Sequence, residues 1–210
     1  MVALLLIAQL LTASAIPVSK SCDALPSTLR VRITIGSSKW KPIEPTIRQL
    51  VEETWRPAGL RIEWLPDGAP KETVDFRIAV VHGLNTTAQG GALGMVQFDA
   101  GRPQPMARVS IDAAVLLARQ YQARLLRVPI HLVRFAEFEN PEIVARLLGY
   151  AAAHETGHFA LATKTHADSG LMRATYRELT AMSDETTWRL DRGNHERLQQ
   201  RLGSCGSKAQ

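Results

Sequence analysis

Three residues within one pentapeptide carry the clearest chemical pattern in this chain. His154, Glu155 and His158 form the sequence H-E-T-G-H. On an α-helix, histidines at positions i and i+4 lie one turn apart on the same face, so both imidazoles can reach one tetrahedral metal ion. The glutamate beside the first histidine is then close enough to hold a water molecule that the metal activates. The spacing predicts zinc-dependent hydrolysis, with Zn²⁺ as cofactor and Glu155 as catalytic general base.

A catalytic zinc ion needs a third protein ligand and keeps its fourth position for water. Three candidates follow the pentapeptide, and spacing alone does not choose between them: His166, Asp168 and Glu178. Asp168 could instead orient His166 through a hydrogen bond.

The segment from His154 to Met172 resembles the signature of the metzincin metallopeptidases, and it is also similar to small secreted bacterial proteins of the pattern H-E-x-G-H, H-S and G-L-M. The resemblance implies that His154, His158 and His166 bind zinc and that Glu155 is the base. It places Met172 in a tight Met-turn below the metal. It also implies a twisted mixed β-sheet, a long active-site helix and a C-terminal helix. A thermolysin-like gluzincin, with Glu178 as third ligand, is the alternative.

The chain departs from the metzincin signature where the active-site helix ends. His166 follows His158 by eight residues rather than the usual six, and Leu161 and Ala162 replace the glycine at the turn. Alanine tolerates a left-handed backbone poorly. We therefore expect residues 163–165 to return the chain to the metal by a longer and gentler path. Tyr176, shortly after Met172, is either a zinc or oxyanion partner or an ordinary core residue.

Hydrophobic periodicity predicts an α+β domain, because strands concentrate early in the chain and helices late. Asn140 and Pro141 have the residue types of an N-cap and a first helical position, so the active-site helix should begin there. Residues 128–135 fit either a strand or the approach to a helix. The strands are predicted at residues 29–35, 61–65, 74–81, 92–98 and 108–111, and the helices at 45–55, 113–124, 141–162 and 194–202.

The first 15 residues predict a signal peptide, since residues 2–11 are almost wholly apolar and an A-x-A site ends at Ala15. A buried N-terminal helix is the alternative. Residues 16–210 would form one secreted or periplasmic domain with no membrane insertion after cleavage. Cys22 and Cys205 are the only cysteines. They could form a disulfide or remain free thiols, and Cys22 could bind the metal as an inhibitory thiolate.

The composition of the 210 residues is that of an ordinary globular protein, with 45% hydrophobic and 21% charged residues. The net charge of +5 is spread along the chain, so nothing indicates nucleic-acid binding. We expect a monomeric metalloendopeptidase that acts on peptide or protein substrates. Strand 92–98, with Gly90, Gly91 and Gly94 in or beside it, could pair with extended substrate. The rival functions are a non-catalytic, zinc-stabilised binding domain and a metal-free scaffold.

Overall fold

The computed structural model describes residues 24–84, 92–132, 140–174 and 188–203. Several predicted features lie outside these residues and stay predictions: the signal peptide, Gly90, Gly91, Tyr176, Glu178 and the two cysteines.

Five strands form one mixed sheet in the order β2-β1-β3-β5-β4. The first four in this order lie parallel, and β4 pairs antiparallel with β5 at one edge. In β1, Leu29, Val31 and Ile33 are fully buried and alternate with more exposed polar residues, as the period-two pattern predicts. The predicted α+β class with a mixed sheet is confirmed. The strands are β1 Thr28–Ile35, β2 Arg61–Trp64, β3 Phe76–Val81, β4 Gly94–Asp99 and β5 Arg102–Ser110.

A tight hairpin joins β4 to β5 and makes β5 longer than predicted. Ala100 and Gly101 both have positive φ angles, 46° and 81°. A two-residue turn with positive φ at both positions matches the twist of an antiparallel pair. The pairing continues to Asp99 opposite Arg102. The hairpin therefore holds β4 as the edge strand that borders the site described below.

In the described part of the chain four helices accompany the sheet: α1 Glu44–Trp55, α2 Ile111–Leu126, α3 Pro141–Ala160 and α4 Arg192–Gly203. Helix α3 is central, because it packs against α1 and α2 and against strands β3, β4 and β5. The predicted start is confirmed, since the Asn140 side chain accepts hydrogen bonds from the backbone N–H groups of Glu142 and Ile143. Within the ambiguous segment, Ile130–Leu132 forms one 3-10 turn. Among the described helices, none is long and apolar enough to cross a membrane.

Helix α3 ends in a tight left-handed turn, and the gentler path expected here is wrong. Ala162 has a φ angle of +47°. Its N–H donates to the carbonyl of Phe159, and the N–H of Thr163 donates to the carbonyl of His158, both at 3.2 Å. This pair of bonds is the Schellman motif, which normally has glycine at the left-handed position. The chain thus makes with alanine the turn that glycine usually makes.

Helix α4 stabilises the same end of α3 from outside. The Arg201 guanidinium donates to the carbonyl of Phe159 at 3.0 Å and also to that of Ala160. A cation at a helix C-terminus interacts favourably with carbonyls that lack partners within the helix. Gln199 ties α4 further to the body through the carbonyl of Ala58 at 2.7 Å. The strained alanine turn is therefore held by contacts from a distant part of the chain.

Replacing Ala162 with glycine should stabilise the protein. The side chain of Ala162 is exposed, so the substitution loses little packing and removes a left-handed alanine, a gain of about 0.5–1 kcal/mol. Ala113→Gly, in the first turn of α2, is the matched control and should lose about that amount. Urea denaturation of both variants gives the change in the free energy of unfolding, which should be positive for Ala162→Gly and negative for Ala113→Gly. If Ala162→Gly destabilised the protein as Ala113→Gly does, the left-handed backbone at Ala162 would not be a source of strain.

Candidate metal centre

The three histidines predicted as ligands lie together. His154 and His158 project from α3, and His166 follows in the segment after the turn. One ring nitrogen from each lies within 4.8 Å of the other two. Within the described ranges this is the only set of three or more histidine, cysteine or acidic side chains that could hold a metal ion. Asp168 is exposed and does not belong to the set, while Glu178 lies outside those ranges.

Two backbone carbonyls orient the helical histidines. His154 Nδ1 lies 2.6 Å from the carbonyl oxygen of Leu171, and His158 Nδ1 lies 2.7 Å from that of Thr163. Because a carbonyl can only accept, both Nδ1 atoms carry the proton and donate it. Each Nε2 atom then presents a lone pair, as a metal-ligating histidine requires.

The spacing of those lone pairs fits one metal ion. The Nε2 atoms of His154 and His158 are 3.1 Å apart. Two nitrogens bound to one tetrahedral zinc at about 2.0–2.1 Å are separated by about 3.3 Å. The helix pair is therefore close to ligand spacing. His166 is the exposed member, and its ring centroid lies 4.9 Å from that of His158.

The histidines are held in the neutral form that binds metal. Burial lowers the pKa of His154 to about 4, with a smaller contribution from the other two histidines. Burial likewise lowers the pKa values of His158 and His166. Since metal binding requires neutral imidazole, no proton has to be displaced from these rings near neutral pH.

Glu155 is a buried carboxylate pressed against strand β4. It is 5% exposed and accepts a hydrogen bond from the backbone N–H of Val96. A side-chain carbon on Gly94 would lie 2.7 Å from Cγ of Glu155, so only glycine leaves room for the carboxylate. Burial raises the pKa of Glu155 to about 8, and the Val96 N–H opposes this rise. A divalent cation nearby would lower that pKa further and favour the ionised form.

The turn at Met172 lies directly beneath the two histidines on α3. Met172 is fully buried, and a side-chain carbon on Gly157 would overlap its sulfur. The carbonyl of Met172 accepts from the N–H of Ala167 at 2.7 Å, and the adjacent carbonyl, of Leu171, is the acceptor for His154. Met172 therefore packs against α3 at Gly157, between the two histidines.

A cleft of about 570 Å³ opens in front of the three histidines and Glu155. Strand β4 borders it from Leu93, just before the strand, to Phe98, near its end. Leu116 and Leu117 from α2 line it, as do Lys164 and Arg173. The arrangement joins a possible metal ion, a buried base and an edge strand in one cavity.

The remaining histidines are surface residues. His82 is exposed and its Nδ1 lies 2.8 Å from a carboxylate oxygen of Asp112, while His131 and His195 are exposed as well. No local pattern in the sequence indicates the two orienting carbonyls, because every residue type carries one. Gly94, a glycine inside a predicted strand, is the one signal that could have indicated the close approach of another group, here Glu155.

Comparison with known proteins identifies the fold. No protein-family model and no curated protein sequence matches the chain. Among solved structures, the chain is similar to the crystal structure of archaemetzincin (amzA) from Methanopyrus kandleri at 1.5 Å resolution. The match has a TM-score of 0.56 and 16% sequence identity, and it covers 84% of this chain and 96% of that chain. At this identity the likeness shows a shared fold alone.

Gly157→Ala should destabilise the protein, although glycine-to-alanine changes within helices usually stabilise. The new methyl group overlaps Met172 and approaches Trp55, and such overpacking costs about 1–3 kcal/mol. Gly203→Ala is the control, since it is also helical but meets nothing within 4 Å. Thermal unfolding compares them. A stability equal to or above that of Gly203→Ala would contradict the close packing of Met172 below the site.

Proposed function

We propose that this protein is a zinc-dependent metalloendopeptidase that hydrolyses bonds in peptide or protein substrates. The observation that carries the proposal is the His154–His158 pair, with its two Nε2 atoms at 3.1 Å and both Nδ1–H groups held by carbonyls. His154, His158 and His166 would hold the zinc ion. When bound, zinc supplies a Lewis acid that polarises the scissile carbonyl and lowers the pKa of water.

Glu155 is suited to the proton transfers of this reaction. Its carboxylate is held by the Val96 N–H on the cleft side of α3 and is shielded from bulk water. The ionised carboxylate would take a proton from the attacking water as the new C–O bond forms. It would then donate that proton to the leaving amine as the C–N bond breaks. One residue thus serves as base and then as acid.

Strand β4 offers a way to position an extended substrate. It is an edge strand of the sheet and borders the cleft from Gly94 to Phe98. An edge strand can hydrogen-bond a peptide through its backbone by strand addition. Such pairing would hold the scissile bond opposite Glu155, because Gly94 and Val96 of this strand already contact that side chain.

The buried glutamate favours an enzyme over a zinc-stabilised binding domain. Structural zinc sites are closed by four protein ligands, whereas catalytic sites keep three and leave one position open. Within the described part of the chain three histidines converge, and a carboxylate lies beside them. The gluzincin alternative needs Glu178 in the place that His166 already occupies near the other two. Secretion, proposed from the N-terminal sequence, is compatible with any of these functions.

Zinc content tests the site directly. We expect about one zinc per chain in the wild type and at least about a hundredfold weaker binding in His166→Ala, since losing a ligand should cost no less than losing an outer hydrogen bond. His195→Ala, an exposed histidine on α4, should bind zinc like the wild type. Elemental analysis measures the zinc content per chain, and competition with a chelator measures the zinc affinity. Full zinc retention in His166→Ala would show that His166 is not the third zinc ligand.

Glu155→Gln should separate zinc binding from catalysis. The amide oxygen can still accept from Val96, so the fold and the zinc content should persist, while turnover falls about 10²–10⁴-fold with the loss of the base. Cleavage of a denatured protein substrate, followed by mass spectrometry, measures turnover. Wild-type turnover in this variant would show that Glu155 is not the general base.

A further inference from the structure

Among the described side chains that line the cleft, positively charged groups outnumber carboxylates. In the part of the lining that the structure describes, the three histidines are accompanied by one carboxylate, Glu155, and two cations, Lys164 and Arg173. Glu155 is assigned to the reaction and would lie beside a divalent ion. The two cations are therefore the described charges that remain for an approaching substrate, and apolar walls strengthen their field because they exclude water.

Lys164 is positioned by the same segment that orients His158. Its neighbour Thr163 is buried, supplies the carbonyl for His158, and accepts a hydrogen bond from the N–H of Thr165 through its hydroxyl at 3.1 Å. The backbone on both sides of Lys164 is thus fixed. The lysine itself is exposed at the cleft, so its charge remains accessible to a ligand.

Lys164 also lies against an aromatic residue of the edge strand. Its Nζ atom is 5.1 Å from the centre of the Phe98 ring, a cation–π distance, and that ring lies edge-on to His158 with centroids 6.3 Å apart. The contact holds the ammonium group near the histidines. It leaves N–H donors of the ammonium for a carboxylate, because an aromatic ring occupies only one side of the cation.

The opposite end of β4 has a different character. There Leu93 lines the cleft just before β4, and Leu116 and Leu117 line it from α2, with the uncharged Gln120 one turn further along that helix. A peptide lying along β4 would therefore meet mainly apolar side chains at one end and Lys164 at the other. The charge preference should apply to one substrate position and not to the peptide as a whole.

We propose that Lys164 and Phe98 form a subsite that selects an acidic side chain close to the scissile bond, so that the substrates are peptides with an acidic residue on one side of the cut and an apolar residue on the other. This inference rests on the proposed peptidase function. Lys164 would act in specificity and not in the chemical step. A partly exposed ion pair of this kind changes affinity about two- to fivefold.

Peptide binding and peptide cleavage, measured separately, test the subsite. The probes are fluorescein-labelled octapeptides of alanine and leucine in which Glu, Gln or Lys is scanned through each position. Binding is followed by anisotropy on zinc-loaded Glu155→Gln protein, alone and combined with Lys164→Gln or Lys164→Glu. Lys71→Gln is the matched control, because it removes the same charge from an exposed lysine that does not line the cleft.

We expect the best Glu peptide to bind about two- to fivefold more tightly than its Gln counterpart, at one scanned position. Lys164→Gln should abolish this preference, Lys164→Glu should reverse it towards the Lys peptide, and Lys71→Gln should leave it unchanged. Equal affinity for the Glu and Gln peptides, or a preference that survives Lys164→Gln, would overturn the proposal.

Cleavage by the protein with Glu155 intact distinguishes the two proposals. If peptides are cut without any preference for an acidic position, the peptidase function stands and the subsite is wrong. If the acidic preference in binding depends on Lys164 but no peptide is cut, the subsite stands as a binding feature and the peptidase function fails.

Discussion

Two hydrogen bonds from imidazole Nδ1–H groups to backbone carbonyls are the constraint on which the site depends. They select the tautomer of His154 and His158 and fix the rotation of both rings, so that the Nε2 lone pairs converge. The carbonyls belong to two different segments, Thr163 just after α3 and Leu171 in the turn below it. The geometry of a possible metal site is therefore decided by how α3 ends and by where the next turn passes, and not by the helix alone.

Packing around α3 explains why those segments lie where they do. Gly157 lets Met172 approach the helix backbone, and the Trp55 indole donates to the carbonyl of Ala153 from the adjacent face. At either end of the buried stretch, Tyr150 stacks on Trp188 and Phe159 on Phe76, with ring centroids 3.6 and 4.7 Å apart. The helix cannot rotate without breaking these contacts. Two of the three histidines are thereby immobilised, and His166, which is exposed, is the one able to adjust.

Sequence reasoning succeeded where the determining physics is local. The alternation in β1, the Asn140 cap and the i, i+4 spacing of the two histidines depend on residues a few positions apart, and each appears as predicted. It failed at Ala162, because propensity argues against a left-handed alanine while Arg201, far along the chain, supports the turn. The contact of Lys164 with Phe98 is equally long-range, and no local pattern announces it.

A metal ion accounts for the centre of the site better than a metal-free scaffold does. With both Nδ1 atoms protonated, the Nε2 atoms of His154 and His158 lie 3.1 Å apart with lone pairs available, and a cation between them would make this contact favourable. A proton shared by the two rings is a poor substitute for that cation, because burial lowers the pKa of His154 to about 4. Burial raises the pKa of Glu155 to about 8, and a divalent cation beside it would lower that pKa and favour the ionised base. One divalent cation would therefore stabilise both the histidine pair and the ionised carboxylate, which is why the arrangement favours a metal centre over a hydrogen-bonded core.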